Sequence, residues 1–226
     1  MSKIIITVDG WSSCGKSTMA RQLAKRLNYI FIDSGAMYRA ITLYFLRNNI
    51  ALNDREQVKK AMESIELDFH LNPESGNNEI WMNGEWVEPY IREMSVAQKV
   101  SEVAAIKEVR EFAVRQQQRI GAQKGIVMDG RDIGTVVFPA AELKIFMTAD
   151  VDMRVDRRFR ELAQKNPAIT REAVRANLMD RDHQDSHREI SPLRQPDDAR
   201  VLDNSHMTPE EQFETALNWA LEKISQ

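Results

Sequence analysis

The chain has 226 residues, 42% of them hydrophobic and 29% charged, with a formal net charge of −3. That length can bury a core, either as one domain or as a core with insertions. The charge gives no global attraction to nucleic acid, and no run of 18 apolar residues is available for a membrane span. Cys14 is the only cysteine, so no disulfide framework exists. Met1-Ser2-Lys3 leads directly into an apolar strand without a secretory segment, so the expected compartment is reducing and cytoplasmic.

The first element is the apolar run Ile4-Ile5-Ile6-Thr7-Val8, which reads as a buried parallel strand. Directly behind it stands Gly10-Trp11-Ser12-Ser13-Cys14-Gly15-Lys16-Ser17, a full match to the phosphate-binding loop G-x-x-x-x-G-K-[ST]. Thr18 to Leu27 then has the spacing of an amphipathic helix, so strand, loop and helix follow in the order the motif requires. The two glycines let successive N–H groups curl around an anion at the positive end of the helix. The stretch from Gly10 to Thr18 is therefore expected to hold ATP, with Lys16 reaching the β- and γ-phosphates and the Ser17 hydroxyl holding Mg²⁺. Cys14 fills a position of the loop where a small residue suffices.

Further strands are expected at Ile30 to Asp33, Ile126 to Asp129, Leu143 to Thr148 and Arg200 to Leu202, making five with the first. Helical patterns lie near Gly35 to Asn48, Ser95 to Gly121, Val151 to Lys165, Arg171 to Asp182 and Pro209 to Ile224. Alternating strands and helices imply an α/β fold: a parallel five-stranded sheet with helices on both faces, of the P-loop NTPase type. One segment departs from this. Leu67 to Leu71 and Glu79 to Val87 alternate apolar and polar residues around Asn83-Gly84, which reads as an antiparallel hairpin inserted as a small subdomain. In such sheets ligands gather at the carboxyl ends of strands, and Asp9-Gly10, Asp33-Ser34-Gly35 and Asp129-Gly130-Arg131-Asp132 all stand there.

The sequence has no Asn-Lys-x-Asp guanine reader, which argues against a switch GTPase. Asp129 closes the apolar run Ile126-Val127-Met128 and resembles a Walker B acid able to hold Mg²⁺ through water, with capping of the following loop as its alternative role. A phosphotransferase needs a second anion site, and arginine suits it through its planar, permanently charged fork. Many arginines of the chain have the alternative of a solvated helix face, paired with neighbours such as Glu161 or Asp180. Arg39 and Arg131 follow strand-end Asp motifs, and for them the anion site is the expected role.

Three blocks, Asp33-Ser34-Gly35-Ala36-Met37-Tyr38-Arg39, Val109-Arg110-Glu111 and Asp129-Gly130-Arg131-Asp132-Ile133-Gly134-Thr135-Val136-Val137-Phe138-Pro139, resemble bacterial cytidylate kinases. The resemblance runs over essentially the whole chain, including the inserted hairpin. It implies a kinase core at 1–33 and 102–226, a short helical lid at about 154–166, and a nucleoside-monophosphate-binding region at 34–101. It also implies roles. Arg39, Arg131 and Arg188 would grip the α-phosphate of the acceptor. Ser101, Arg110 and Asp132 would read the cytosine edge, with Ser34 nearby. Asp185 would accept from the ribose hydroxyls, Arg181 would lie close to the transferring phosphate, and Arg157 and Arg158 would close onto the γ-phosphate. A carboxylate facing the exocyclic amine of cytosine would lose its partner opposite the carbonyl of uracil, which makes Asp132 a chemically sensible discriminator.

The implied reaction is transfer from ATP·Mg²⁺ to CMP or dCMP, with no nucleic acid or membrane involved and a monomer as the default. Two other readings stay open: a kinase for another small acceptor such as UMP, AMP or a polyol, and a regulatory module that hydrolyses ATP slowly. The family often has more charged residues where this chain has His183, Gln184 and His187, and commonly has proline where it has Trp11. The two histidines are expected to be structural or surface groups. Trp11 either alters the rigidity of the loop or contacts the nucleotide.

Overall fold

A computed structural model describes residues 2–74, 76, 78–164 and 166–226. In chain order the strands are β1 (Ile5–Gly10), β2 (Ile30–Asp33), β3 (Leu67–Leu71), β4 (Asn78–Met82), β5 (Glu85–Trp86), β6 (Ile126–Asp129), β7 (Leu143–Thr148) and β8 (Arg200–Asp203). The helices are α1 (Lys16–Leu27), α2 (Ser34–Arg47), α3 (Arg55–Ser64), α4 (Met94–Ala105), α5 (Lys107–Gly121), α6 (Val151–Ala163), α7 (Arg171–His187) and α8 (Pro209–Ile224). A five-stranded sheet has the order β2-β6-β1-β7-β8, and a three-stranded sheet the order β3-β4-β5. Packing divides the chain into two compact units, Met1–Tyr29 with Lys124–Gln226, and Ile30–Gln123.

In the first unit, β1 runs parallel to β6 and β7, and β8 runs parallel to β7. Every residue of β6 is buried, as are Ile6, Thr7, Val8 and Asp9 of β1, which is the signature of a parallel sheet covered on both faces. The register pairs Val8 with Asp129 and Gly10 with Met147, so the phosphate loop leaves β1 beside the carboxyl end of β6. Helix α1 turns Met19, Ala20, Leu23 and Ala24 inward, at helical spacing. It ends at Asn28 in the left-handed conformation, with Tyr29 N–H donating to Ala24 O at 2.8 Å, and Lys25 and Arg26 complement its negative end. Helices α6 and α7 pack through Val155, Val174 and Leu178, with Val151, Phe159, Leu162 and Ile169 around them. Lys165, inside the expected lid and helix, lies outside the described residues.

The second unit corrects two expectations. The inserted segment is a three-stranded meander, because β4 pairs with β3 as well as with β5. Its β4–β5 turn, Asn83 at φ 52 and Gly84 at φ 77, has the two positive φ values of a type I′ hairpin turn. The helical pattern from Ser95 to Gly121 is two helices broken at Ile106, which is extended at ψ 128. No glycine or proline marks that break. The Ala104 carbonyl freed by it accepts from the Arg110 guanidinium at 3.2 Å, a contact made between helices. Helix α3 was not expected. Its signals are the Asp54 cap, accepting from Gln57 N–H at 3.0 Å, and the inward trio Val58, Ala61 and Met62. In the first unit, helix α7 runs beyond Asp182 to His187.

Candidate active site

Gly10 turns the chain out of β1 at φ 143, hard against β7. A Cβ there would stand 2.0 Å from Met147 O, so both the conformation and the space require glycine. Ser13 at φ 61 and Gly15 at φ 83 then curl the loop, and Gly15 caps α1. The curl is held from below. Ser12 N–H donates to Asp182 Oδ1 at 3.0 Å, and Ser12 O accepts from Arg154 Nη1 at 3.3 Å. Arg154 and Asp182 are themselves a buried ion pair, and Arg154 Nε donates to Ala149 O at 3.1 Å. Cys14 O accepts from Asn204 Nδ2 at 2.7 Å, which fixes the far side of the curl. The Cys14 thiol is buried, and burial pushes its pKa up, consistent with a filler of the loop.

Lys16 Nζ donates to Trp11 O at 2.5 Å, spanning the loop from end to end. Burial, seconded by the Arg131 charge, pulls the Lys16 pKa down to about 7. An arriving phosphate would supply the counter-charge and restore the ammonium. Ser17 Oγ donates to Asp129 Oδ2 at 2.5 Å, which brings the two expected metal groups together as a pair of hard oxygen donors at the mouth of the loop. Such a donor set fits Mg²⁺.

Behind this pair sits Asp9, buried and accepting from Ile133 N–H at 2.9 Å and Gly134 N–H at 2.7 Å. These amides open a π-helical turn, Ile133–Val137, with Phe138 N–H donating to Ile133 O at 2.7 Å. Burial raises the Asp9 pKa to about 6, against the lowering effect of the two amides. The carboxylate thereby anchors the backbone immediately after Asp132.

Around the loop the first unit assembles four of the expected acceptor residues. Arg131 Nε donates to Asp185 Oδ2 at 2.7 Å and its Nη2 donates to Ser12 Oγ at 3.1 Å. Arg188 approaches Asp132 at 3.3 Å and Asp185 at 3.9 Å, and its Nε donates to Ser191 O at 2.5 Å. Asp185 thus stands between two guanidinium groups on the phosphate loop's flank. Arg181 lies half-buried on α7. The two arginines expected in a lid differ from each other. Arg157 donates to both oxygens of Asn204, at 2.9 and 3.0 Å, and through Asn204 is tied to the loop at Cys14. Arg158 pairs with Glu161 at 2.8 Å on an exposed helix face.

The remaining expected residues lie in the second unit. Asp33 caps α2 by accepting from Ala36 N–H at 2.9 Å, and its other oxygen accepts from Arg39 Nη2 at 2.9 Å. Arg92 reaches the same oxygen at 3.8 Å, so two arginines converge on one carboxylate. Ser34 is buried at the first position of α2, and Ser101 is half-buried on α4. Arg110 is 1% exposed and lies over the Tyr38 ring, 5.4 Å from its centroid.

Sequence reasoning missed Asp182, Arg154 and Asn204, which support the loop from α7, α6 and the end of β8. They are distant from it in the chain, and only a buried polar side chain betrays them. Asp9 was visible at a strand end, but its partners were not.

A strand, a glycine-bounded phosphate loop entering a helix and a carboxylate ending the adjacent strand define a protein of the P-loop nucleotide-binding class. An uncharacterized protein from Eubacterium ventriosum shares this fold at TM-score 0.50 and 10% identity, covering 99% of both chains. The sequence profile of cytidylate kinase matches residues 6–222. A cytidylate kinase from Bacteroides thetaiotaomicron is 53% identical over 217 residues, 95% of each chain. Another from Phocaeicola vulgatus is 52% identical over 227 residues, 99% of this chain and 97% of that one. The chain belongs to the cytidylate kinase family.

Proposed function

We propose that the protein is an ATP-dependent kinase that phosphorylates CMP and dCMP to CDP and dCDP by direct in-line transfer, as a cytoplasmic monomer. The observation that carries this reading is the Arg131 guanidinium, which links Asp185 to Ser12 of the phosphate loop and so couples an acceptor-type anion site to a donor-type one. Family membership supports cytidylate as the acceptor.

In this reading Gly10 to Thr18 wrap the ATP phosphates, with Lys16 on the β- and γ-phosphates. Ser17 would hold Mg²⁺ directly and Asp129 through water, and the ion would offset charge on the phosphate oxygens. Arg131 and Arg188 would bind the acceptor phosphate, and Arg39 is assigned the same role. Asp132, Ser101 and Arg110 would recognise the cytosine edge, Ser34 would assist them, and Asp185 would accept from the ribose. Arg157, Arg158 and Arg181 neutralise charge on the phosphoryl group in flight. The acceptor phosphate is already an anionic nucleophile, so no general base is needed, and catalysis rests on alignment and charge neutralisation. Among the described residues no helix is long and apolar enough to cross a membrane.

The test is ADP release from ATP·Mg²⁺ with CMP, dCMP, UMP, AMP and no acceptor, side by side. Rapid release with CMP and dCMP, slow release with UMP and a silent blank are expected. Equal rates with UMP would remove Asp132 as the discriminator, and activity without acceptor would replace the kinase with an ATPase.

A further inference from the structure

His183 and His187 stand four residues apart on the exposed side of α7, and neither phosphate nor base binding makes use of them. Their rings stack, with centroids 4.0 Å apart and planes inclined at 25°. His187 Nδ1 lies 3.0 Å from His183 O and 3.0 Å from Ser186 Oγ, while the Ser186 hydroxyl donates to Asp182 O at 2.7 Å. A carbonyl only accepts, so the contact with His183 O is a hydrogen bond in the tautomer that carries the hydrogen on Nδ1 and leaves the Nε2 lone pair free. That is the arrangement found behind metal-bound histidine: one ring nitrogen donates to a backbone carbonyl, which orients the other as a ligand. The i, i+4 spacing is the one at which two imidazoles on a helix share a cation, which here requires the exposed His183 ring to turn off the stack so that the two in-plane lone pairs converge.

We infer that His183 and His187 form a two-imidazole site for a divalent first-row transition cation of the zinc type, with water completing its coordination. Imidazole nitrogen selects such ions over Mg²⁺, which prefers oxygen, so the Mg²⁺ of the kinase reaction does not compete. Among the described residues no group of three or more His, Cys, Asp or Glu is placed to hold a metal, so this is a two-ligand surface site rather than a structural cage. A cation bound there clips the C-terminal end of α7, the helix that also carries Asp182, the support of Ser12, and Asp185, the partner of Arg131.

The test is calorimetric titration of the full chain with zinc chloride in ATP-free buffer containing Mg²⁺, alongside His183→Ala, His187→Ala and the double variant. One zinc per wild-type chain is expected, with affinity falling about tenfold or more in each single variant. The zinc-induced rise in Tm should vanish in the double variant. CMP kinase activity in Mg²⁺ alone should be unchanged in all variants, which shows that the fold is intact. Equal zinc uptake by the double variant would assign the cation to other groups such as His70 or His206 and overturn the proposal. So would the absence of uptake by the wild type at about 1 mM zinc.

Discussion

Asp9→Asn should make the protein's stability less sensitive to pH between 4 and 7. The side chain keeps its shape and one acceptor toward the Ile133 and Gly134 amides but no longer has to ionise inside the protein. In the wild type, burial raises this carboxyl from the ordinary 3.8 to about 6. At 1.36 kcal/mol per tenfold change in proton affinity, the rise corresponds to about 3 kcal/mol. The folded pKa lies above the unfolded one, so the native state binds more protons in this window. The associated stability is complete below pH 3.8 and is lost as the pH climbs through 6. Urea unfolding of both proteins at pH 4, 5, 6, 7 and 8 isolates this contribution, because every other titrating group cancels in the difference. The wild type should lose about 2 to 3 kcal/mol relative to Asn between pH 4 and 7. A difference that stays flat over this range would refute the buried-carboxylate argument. Asp9 also holds the backbone next to Asp132, so the Asn variant should raise KM for CMP more than it lowers kcat.

Gly10→Ala should cost about 4 kcal/mol or more, since its Cβ would lie 2.0 Å from Met147 O, and soluble yield with the chemical-denaturation midpoint will report it. Asp182→Ala strands the buried Arg154 charge, a loss of about 3 to 5 kcal/mol, and in calorimetry the Tm should fall by roughly 6 to 20 °C. Arg158→Ala breaks only an exposed pair with Glu161, so its stability should hold to within about 1 kcal/mol, a Tm change of no more than about 4 °C. Its kcat on CMP should nevertheless drop by at least roughly tenfold, short of the 10³-fold or more of a lone arginine finger because Arg157 remains. Lys16 is largely neutral above pH 7 and recovers its charge against phosphate, so ATP binding at pH 8 should take up protons, measurable as a buffer-dependent enthalpy.

Local patterning determined much of this molecule. Three of the five expected strands of the parallel sheet coincide with those observed, and the other two agree to within two residues; for the central β1, β6 and β7 the reason is that a strand covered on both faces must be a continuous apolar run bounded by turn residues. The phosphate loop was legible for a related reason: Gly10, Gly15, Lys16 and Ser17 act through backbone geometry and near neighbours. Asp129 was legible as the end of an apolar run, and its contact with Ser17 follows from β6 lying beside β1. Tertiary structure alone decided what lies 54 to 190 residues apart: Asn204 on Cys14, Asp182 on Ser12, Asp9 on the Ile133 and Gly134 amides, and Asp185 on Arg131. It also decided the break at Ile106, where no glycine or proline stands and the freed carbonyl is taken by Arg110 of the next helix. Buried polar groups must find partners wherever the fold brings them, and sequence spacing carries no record of that choice.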